Sequence, residues 1–268
     1  GDQTPVLEDV GKILVLERVV QEQKKKLAAY REARKYRFVP DLVGGKTQYD
    51  ENVAQIRSRI AAAARAAGRD PADIRLCAAT KMNDSAAVRE AIAAGVDACG
   101  ENRVQELTAK LAQNAYDGAP VHFIGHLQTN KVRQVVGKVS LIQSVDSERL
   151  LAAIDREAAR QGIVQDILLE VNIGEEASKS GFAAEDILPL MEKIGEFSNI
   201  CIKGLMAIPP ISHISGENQK FFQKMFHLSV DIRQKKYDNV KVDCLSMGMS
   251  GDFADAIASG STMVRVGT

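Results

Sequence analysis

The sequence has no excess of charge of either sign: Lys+Arg and Asp+Glu each total 35 over 268 residues. Without a basic or acidic surplus there is no long-range attraction to a nucleic acid or an anionic membrane, so neither is expected as a partner. Cysteine is sparse. Cys77, Cys99, Cys201 and Cys244 are widely separated, each in or near a strand-like run. That spacing fits neither a zinc knuckle nor a secreted disulfide framework, and it predicts reduced, buried thiols in a cytoplasmic protein. Long apolar runs are missing too: none can span a bilayer, and the start has no signal-peptide core. What is present is ample core material, 45% apolar, enough for one large α/β domain or two small ones.

The stretch Ile74-Arg75-Leu76-Cys77-Ala78-Ala79-Thr80-Lys81 reads as a buried strand with a lysine at its far end. The N-cap cluster Asn83-Asp84-Ser85 and a helical pattern to Ala94 follow, which makes this a βα step. Lys81 then sits at the C-terminal lip of a strand, where α/β folds bind ligands. A lone lip lysine has a bland reading, an ammonium reaching solvent. Its sharper reading is a partly desolvated amine that forms a Schiff base with an aldehyde.

Strand and helix patterns alternate throughout. The expected strands are 74–80, 98–100, 122–125, 141–145, 166–172, 202–208, 241–246 and 263–266. The expected helices are 49–67 (with Asp50 as N-cap), 85–94, 103–113, 129–136, 147–161, 183–197, 216–236 and 253–258. Eight short apolar strands with helices between them predict a (β/α)8 TIM barrel over residues 47–268, with an open doubly wound sheet as the rival. No final helix follows the eighth strand. Residues 1–46 stand apart as a helical extension: an apolar-patterned helix over 13–34, the basic run Lys24-Lys25-Lys26 and Arg31, Arg34, Lys35 and Arg37, then Pro40 and Gly44-Gly45. This is either a basic arm for an acidic partner or a solvated face.

In a barrel, the residues after each strand face one cavity. Here they are Lys81, Glu101 and Asn102, His126 and Gln128, Asp146, Asn172, Met206 and Pro209, Ser246 to Gly251, and Arg265, Gly267 and Thr268. Ser246-Met247-Gly248-Met249-Ser250-Gly251 offers hydroxyls and approachable N–H groups ahead of a helix, in the position where barrels often hold phosphate. A lysine across the cavity from such a cradle points to a phosphorylated aldehyde. His122 and His126 lie across a strand and its loop, so they do not converge on a metal; His126 stays open as a lip residue, and His213 and His227 read as loop and helix-surface residues. The five tyrosines, Tyr30, Tyr36, Tyr49, Tyr116 and Tyr237, fall in or beside helices, where surface packing is the default.

Six ordered segments resemble the pyridoxal phosphate homeostasis protein family: Ala79-Thr80-Lys81, Gly100-Glu101-Asn102-Arg103-Val104-Gln105-Glu106, 122–131 from His122 to Lys131, Lys203-Gly204-Leu205-Met206-Ala207-Ile208, 246–252, and Val264-Arg265-Val266-Gly267-Thr268. The resemblance runs from about Tyr49 to Thr268. It implies a PLP-binding barrel like the N-terminal barrel of alanine racemase, with pyridoxal 5'-phosphate (PLP) held as an aldimine on Lys81. It implies a phosphate held by Ser246, Gly248, Ser250, Gly267 and Thr268, Asn102 along the cofactor's edge, and Arg265 at the pyridine nitrogen. An arginine keeps its proton, so a pyridine facing it stays unprotonated and withdraws electrons poorly. That suits a monomeric intracellular carrier that supplies PLP to PLP-dependent apoenzymes, with no catalytic residue of its own. The alternative is a PLP-dependent amino-acid racemase, for which the sequence offers no evident second base. Family members generally continue into an Ile-Phe-Gly segment and a last helix after the glycine-threonine pair, and these residues are absent here.

Overall fold

The computed structural model describes residues 47–176, 179–212, 214 and 216–267. The predicted extension over 1–46, Thr268 and His213 lie outside the described residues. Helix α1 (Gln48–Ala66) opens on a capping box: the Thr47 hydroxyl accepts from Asp50 N–H at 3.3 Å, and the Asp50 carboxylate accepts from Thr47 N–H at 3.0 Å. Thr47 is therefore the N-cap and Asp50 the third helical residue, so the cap lies three residues before Asp50, the position the sequence suggested for it. Two orphan donors of the first turn are satisfied at once. Val53, Ile56, Ile60 and Ala64 form the buried stripe, and Gly68 takes the left-handed φ of +68° that ends the helix.

Eight parallel strands follow and close on themselves in sequential order, β8 pairing with β1. They are β1 (Arg75–Ala79), β2 (Ala98–Glu101), β3 (Val121–Phe123), β4 (Leu141–Val145), β5 (Gln165–Val171), β6 (Ile200–Ala207), β7 (Val240–Ser246) and β8 (Met263–Val266). Closure decides against the open sheet and leaves no unpaired edge. Between them run α2 (Ser85–Ala93), α3 (Val104–Ala112), α4 (Glu148–Gln161), α5 (Ala184–Lys193), α6 (Gln219–Gln234) and α7 (Phe253–Ala258). Strands buried on both faces explain the unbroken apolar runs. In β5, Ile167, Leu169 and Val171 pack outward among the helices, while Leu168 joins Cys77, Ala98, Ile124, Leu141, Met206, Cys244 and Met263 inside the barrel.

Three expected helices differ. The segment after β3 is a 3₁₀ turn, Thr129–Gln134, closed by bonds such as Lys131 N–H to Gln128 C=O at 2.9 Å; six residues carrying β-branched Thr129 and Val132 are poor material for an α-helix. Helix α5 ends at Lys193 and gives way to a 3₁₀ turn over Ile194–Glu196, with Pro189 already removing one helical donor. Helix α6 begins at Gln219, three residues later than expected. Tyr49 and Tyr116 are buried, contrary to the surface role expected of them, and Tyr116 joins the main apolar core. Among the described residues, no helix is long and apolar enough to cross a membrane.

Candidate functional site

Alternation within each strand decides what reaches the barrel interior, and at the C-terminal ends it brings Lys81, Asn102, Glu170, Ser246, Arg265 and Gly267 to one mouth. Lys81 follows β1 in a tight turn and is half-buried. Among the described residues its ammonium has no hydrogen-bond or ion-pair partner. Asn102 follows β2, and its buried Oδ1 has no hydrogen bond among the described residues. A buried amide oxygen left unpaired is costly unless a ligand donates to it.

The loop after β7 packs closely on its own helix. Gly248 has φ +92°, and a Cβ there would come within 2.6 Å of the Ala256 Cβ. Asp252 Oδ1 takes Met249 N–H at 2.7 Å. The N–H groups of Gly248, Ser250 and Gly251 have no partner among the described residues. Ser250 Oγ donates to Gly267 C=O at 2.7 Å, tying this loop to the end of β8. Gly267 in turn sits so close to β1 that a Cβ would meet the Ala79 Cβ at 2.6 Å. The cradle and the lysine-bearing strand are thus immediate neighbours.

Arg265 lies within the barrel, 5% exposed. Its Nη1 donates to Ser246 C=O at 2.8 Å and Ser246 Oγ at 2.6 Å, and its Nη2 donates to Ala207 C=O at 2.9 Å. That leaves its Nε–H and one Nη2–H without a partner among the described residues. Burial pulls the guanidinium below its ordinary range, though Cys77 and Glu170 nearby work against the shift. Ser246 Oγ donates onward to Gln143 Oε1 at 2.7 Å, and Gln143 Nε2 pairs with His122 Nδ1 at 2.8 Å. The Ser246 hydroxyl is therefore turned into the barrel and spent on this chain, away from the loop where the sequence put it against a phosphate. Burial, with Arg75 adding to it, lowers His122 to about 4, so it is a neutral ring accepting at Nδ1.

Other strand-end residues serve structure. Glu101, expected in the cavity, is fully buried behind it, 2.7 Å from Lys110 Nζ; it is the last residue of β2 and alternation turns it outward. Asn172, likewise expected in the cavity, folds the loop after β5: its Nδ2 donates to Glu176 C=O at 2.9 Å, and its Oδ1 accepts from Glu176 N–H at 3.2 Å. Pro209 offers its carbonyl to Lys179 Nζ at 3.2 Å. His126 lies at the mouth, its Nδ1 3.1 Å from Asp146 Oδ2, while His122 pairs with Gln143 inside the barrel.

Sequence reasoning missed Gln143 and Glu170. Glu170 is pushed up to about 7, first by burial and then by the Asp146 carboxylate, against the pull of Arg265 and His126. Its signal was present: with Ile167, Leu169 and Val171 on the helix side, position 170 must point inward. The thiols of Cys77 and Cys99 are raised to about 12 by burial, which makes them poor nucleophiles.

The sequence profile of the alanine racemase N-terminal domain family matches residues 52–268. The pyridoxal phosphate homeostasis protein of Aquifex aeolicus is 40% identical to this chain over 218 residues, 81% of this chain and 95% of that protein. Among solved structures, an unknown protein from Bifidobacterium adolescentis is 39% identical, with a TM-score of 0.78 over 82% of this chain and 92% of that one. PipY of Synechococcus elongatus, solved with PLP bound, is 33% identical, with a TM-score of 0.68 over 80% of this chain and 98% of its own.

Proposed function

Because the chain belongs to the pyridoxal phosphate homeostasis protein family, within the alanine racemase N-terminal domain group, we propose that it binds PLP at the barrel mouth and serves as an intracellular carrier and buffer of it. Bound there, PLP supplies an aldehyde that an amine can hold reversibly and a phosphate that needs N–H donors. The carrying observation is a pairing: among the described residues the Lys81 amine and the Gly248, Ser250 and Gly251 N–H groups all lack partners, on strand ends joined where Gly267 meets Ala79. Asn102 Oδ1, an acceptor without a donor among the described residues, fits a ligand edge that brings one.

In this reading Lys81 is the covalent anchor. Gly248, Ser250 and Gly267 enclose the phosphate, the family resemblance adds Thr268, which lies outside the described residues, and Ser246 contributes by holding Arg265. Arg265, fixed by three hydrogen bonds, directs a remaining N–H at the ring nitrogen and keeps its own proton. The nitrogen then stays a hydrogen-bond acceptor. Such a site retains PLP without driving turnover, and its exposed lip permits release to PLP-dependent apoenzymes in the cytoplasm. A closed barrel needs no second chain to pair its strands, in keeping with action as a monomer.

The test is the visible spectrum of the purified protein, followed by borohydride reduction and peptide mass mapping, on wild type and Lys81→Ala. The expected result is a yellow wild type with a phosphopyridoxyl mass on the Lys81 peptide, absent from the variant, and background α-proton exchange of amino acids in D2O. A colourless wild type that takes up no added PLP removes the proposal. Sustained exchange with alanine shifts it to the racemase.

A further inference from the structure

Behind Lys81, away from the mouth, lies a buried charged cluster that the PLP reading does not use. Glu101 at the end of β2 is fully buried and Lys110 on α3 is 7% exposed, with Lys110 Nζ 2.7 Å from Glu101 Oε1. Glu106, one turn before Lys110 on the same helix, stands 4.0 Å from it. Replacing a buried ion pair with apolar side chains is often neutral for stability, so stability alone does not account for one here. What the charges touch is more informative. Lys110 Nζ donates to Thr80 C=O at 2.8 Å, Thr80 Oγ1 donates to Glu101 Oε1 at 2.6 Å, and Met82 N–H donates to Glu106 Oε2 at 2.8 Å.

Thr80 and Met82 flank Lys81. The carbonyl held by Lys110 belongs to the peptide group before the Lys81 Cα, and the N–H held by Glu106 belongs to the peptide group after it. Fixing both peptide planes fixes φ and ψ of Lys81 and hence the direction in which its Cα–Cβ bond leaves the backbone. The turn needs such help: Met82 has φ +60°, a left-handed conformation uncommon for a non-glycine residue. We infer that Glu101, Lys110 and Glu106 form a charged clamp that positions Lys81 for attack on the PLP aldehyde. The inference rests on the PLP reading above. In the step it serves, the neutral Lys81 amine would add to the aldehyde carbon, its two N–H bonds and the C=O bond would be exchanged for a C=N bond, the two protons and the oxygen would leave as water, and nothing is oxidised or reduced. The three residues are positioning residues and touch no ligand.

Glu106 is the member to test, because it is partly exposed and its loss strands no buried charge. Wild type, Lys81→Ala, Glu106→Ala and Glu106→Gln, all as full chains stripped of PLP, are mixed with PLP and the growth of the lysine-adduct absorbance is timed. Equilibrium binding of pyridoxine 5'-phosphate, which has no aldehyde, is measured in parallel, and amide exchange at Met82 is followed without ligand. Because a misplacement of about 1 Å can cost about a hundredfold, Glu106→Ala is expected to load at least about tenfold more slowly, with pyridoxine 5'-phosphate affinity within about twofold of wild type. Its Met82 amide exchanges faster. Glu106→Gln, whose amide oxygen still accepts from Met82, recovers most of the rate. The clamp is overturned if Glu106→Ala loads at the wild-type rate, or if pyridoxine 5'-phosphate binding falls in proportion to the loading rate. A wild type that takes up no PLP overturns the PLP reading itself and the clamp's role with it, a result read before any Glu106 variant.

Discussion

Glu170 makes stability against pH the most discriminating measurement on this fold. The carboxyl faces the barrel interior, with Asp146, Arg265 and His126 as its charged neighbours, and stands at about 7 against an ordinary 4.5. Burial disfavours its charged form more than Arg265 favours it. The folded protein therefore binds a proton at Glu170 that the unfolded chain has already lost, so this group makes stability fall as pH rises from about 4.5 to 7. At about 1.4 kcal/mol for each tenfold change in proton affinity, the full penalty above pH 7 reaches about 3.5 kcal/mol, and partial solvent access brings it nearer 2. Glu170→Gln keeps the shape and removes the titration. Urea unfolding of PLP-free protein at pH 5, 6, 7 and 8 is the assay. Altered hydrogen bonding adds a constant offset between variant and wild type, of either sign. On top of that offset, the variant is expected to gain about 2 kcal/mol relative to wild type between pH 5 and pH 8. A difference that stays flat across this range refutes the placement of Glu170 in a water-poor interior.

Three further outcomes follow from buried groups. Gln143→Leu strands the Ser246 hydroxyl and His122 Nδ1, which at about 1–3 kcal/mol for each buried group left unpaired lowers stability by about 3 kcal/mol, seen as a lower urea midpoint. Lys110→Met leaves the Glu101 carboxylate buried and unpaired and costs about 3–5 kcal/mol, whereas Glu101→Gln combined with Lys110→Met recovers most of that loss in the same titration. Gly248→Ala must accommodate φ +92° and a 2.6 Å approach to Ala256; it is expected to cost about 1–3 kcal/mol and to weaken pyridoxine 5'-phosphate binding measured by calorimetry.

Much of this protein is written in local pattern. β4 and β8 have the bounds that the apolar runs at 141–145 and 263–266 mark out, and α7 has those of 253–258. The lip position of Lys81 needed only an apolar run followed by an N-cap, because strand and helix periods are imposed by backbone geometry on neighbouring residues. Eightfold alternation narrowed the architecture to two choices. Pairing of β1 with β8 made the decision, and those strands are brought together only by folding the whole chain.

Side-chain partners belong to the tertiary structure for the same reason. Ser246 looked like one hydroxyl of a phosphate loop, yet its partner is Gln143, 103 residues away and across the barrel. Glu101 was read as a cavity residue because it ends a strand; alternation turns it outward, where Lys110 and Thr80 take it up. Tyr49 and Tyr116, placed at the surface by their helical positions, are buried in the folded chain. The sequence alone determined that a lysine and a glycine-serine loop would stand at strand ends, since both depend on residues adjacent in the chain. Which groups would be left free at those ends, and which would be spent holding others in place, depended on neighbours supplied by barrel closure.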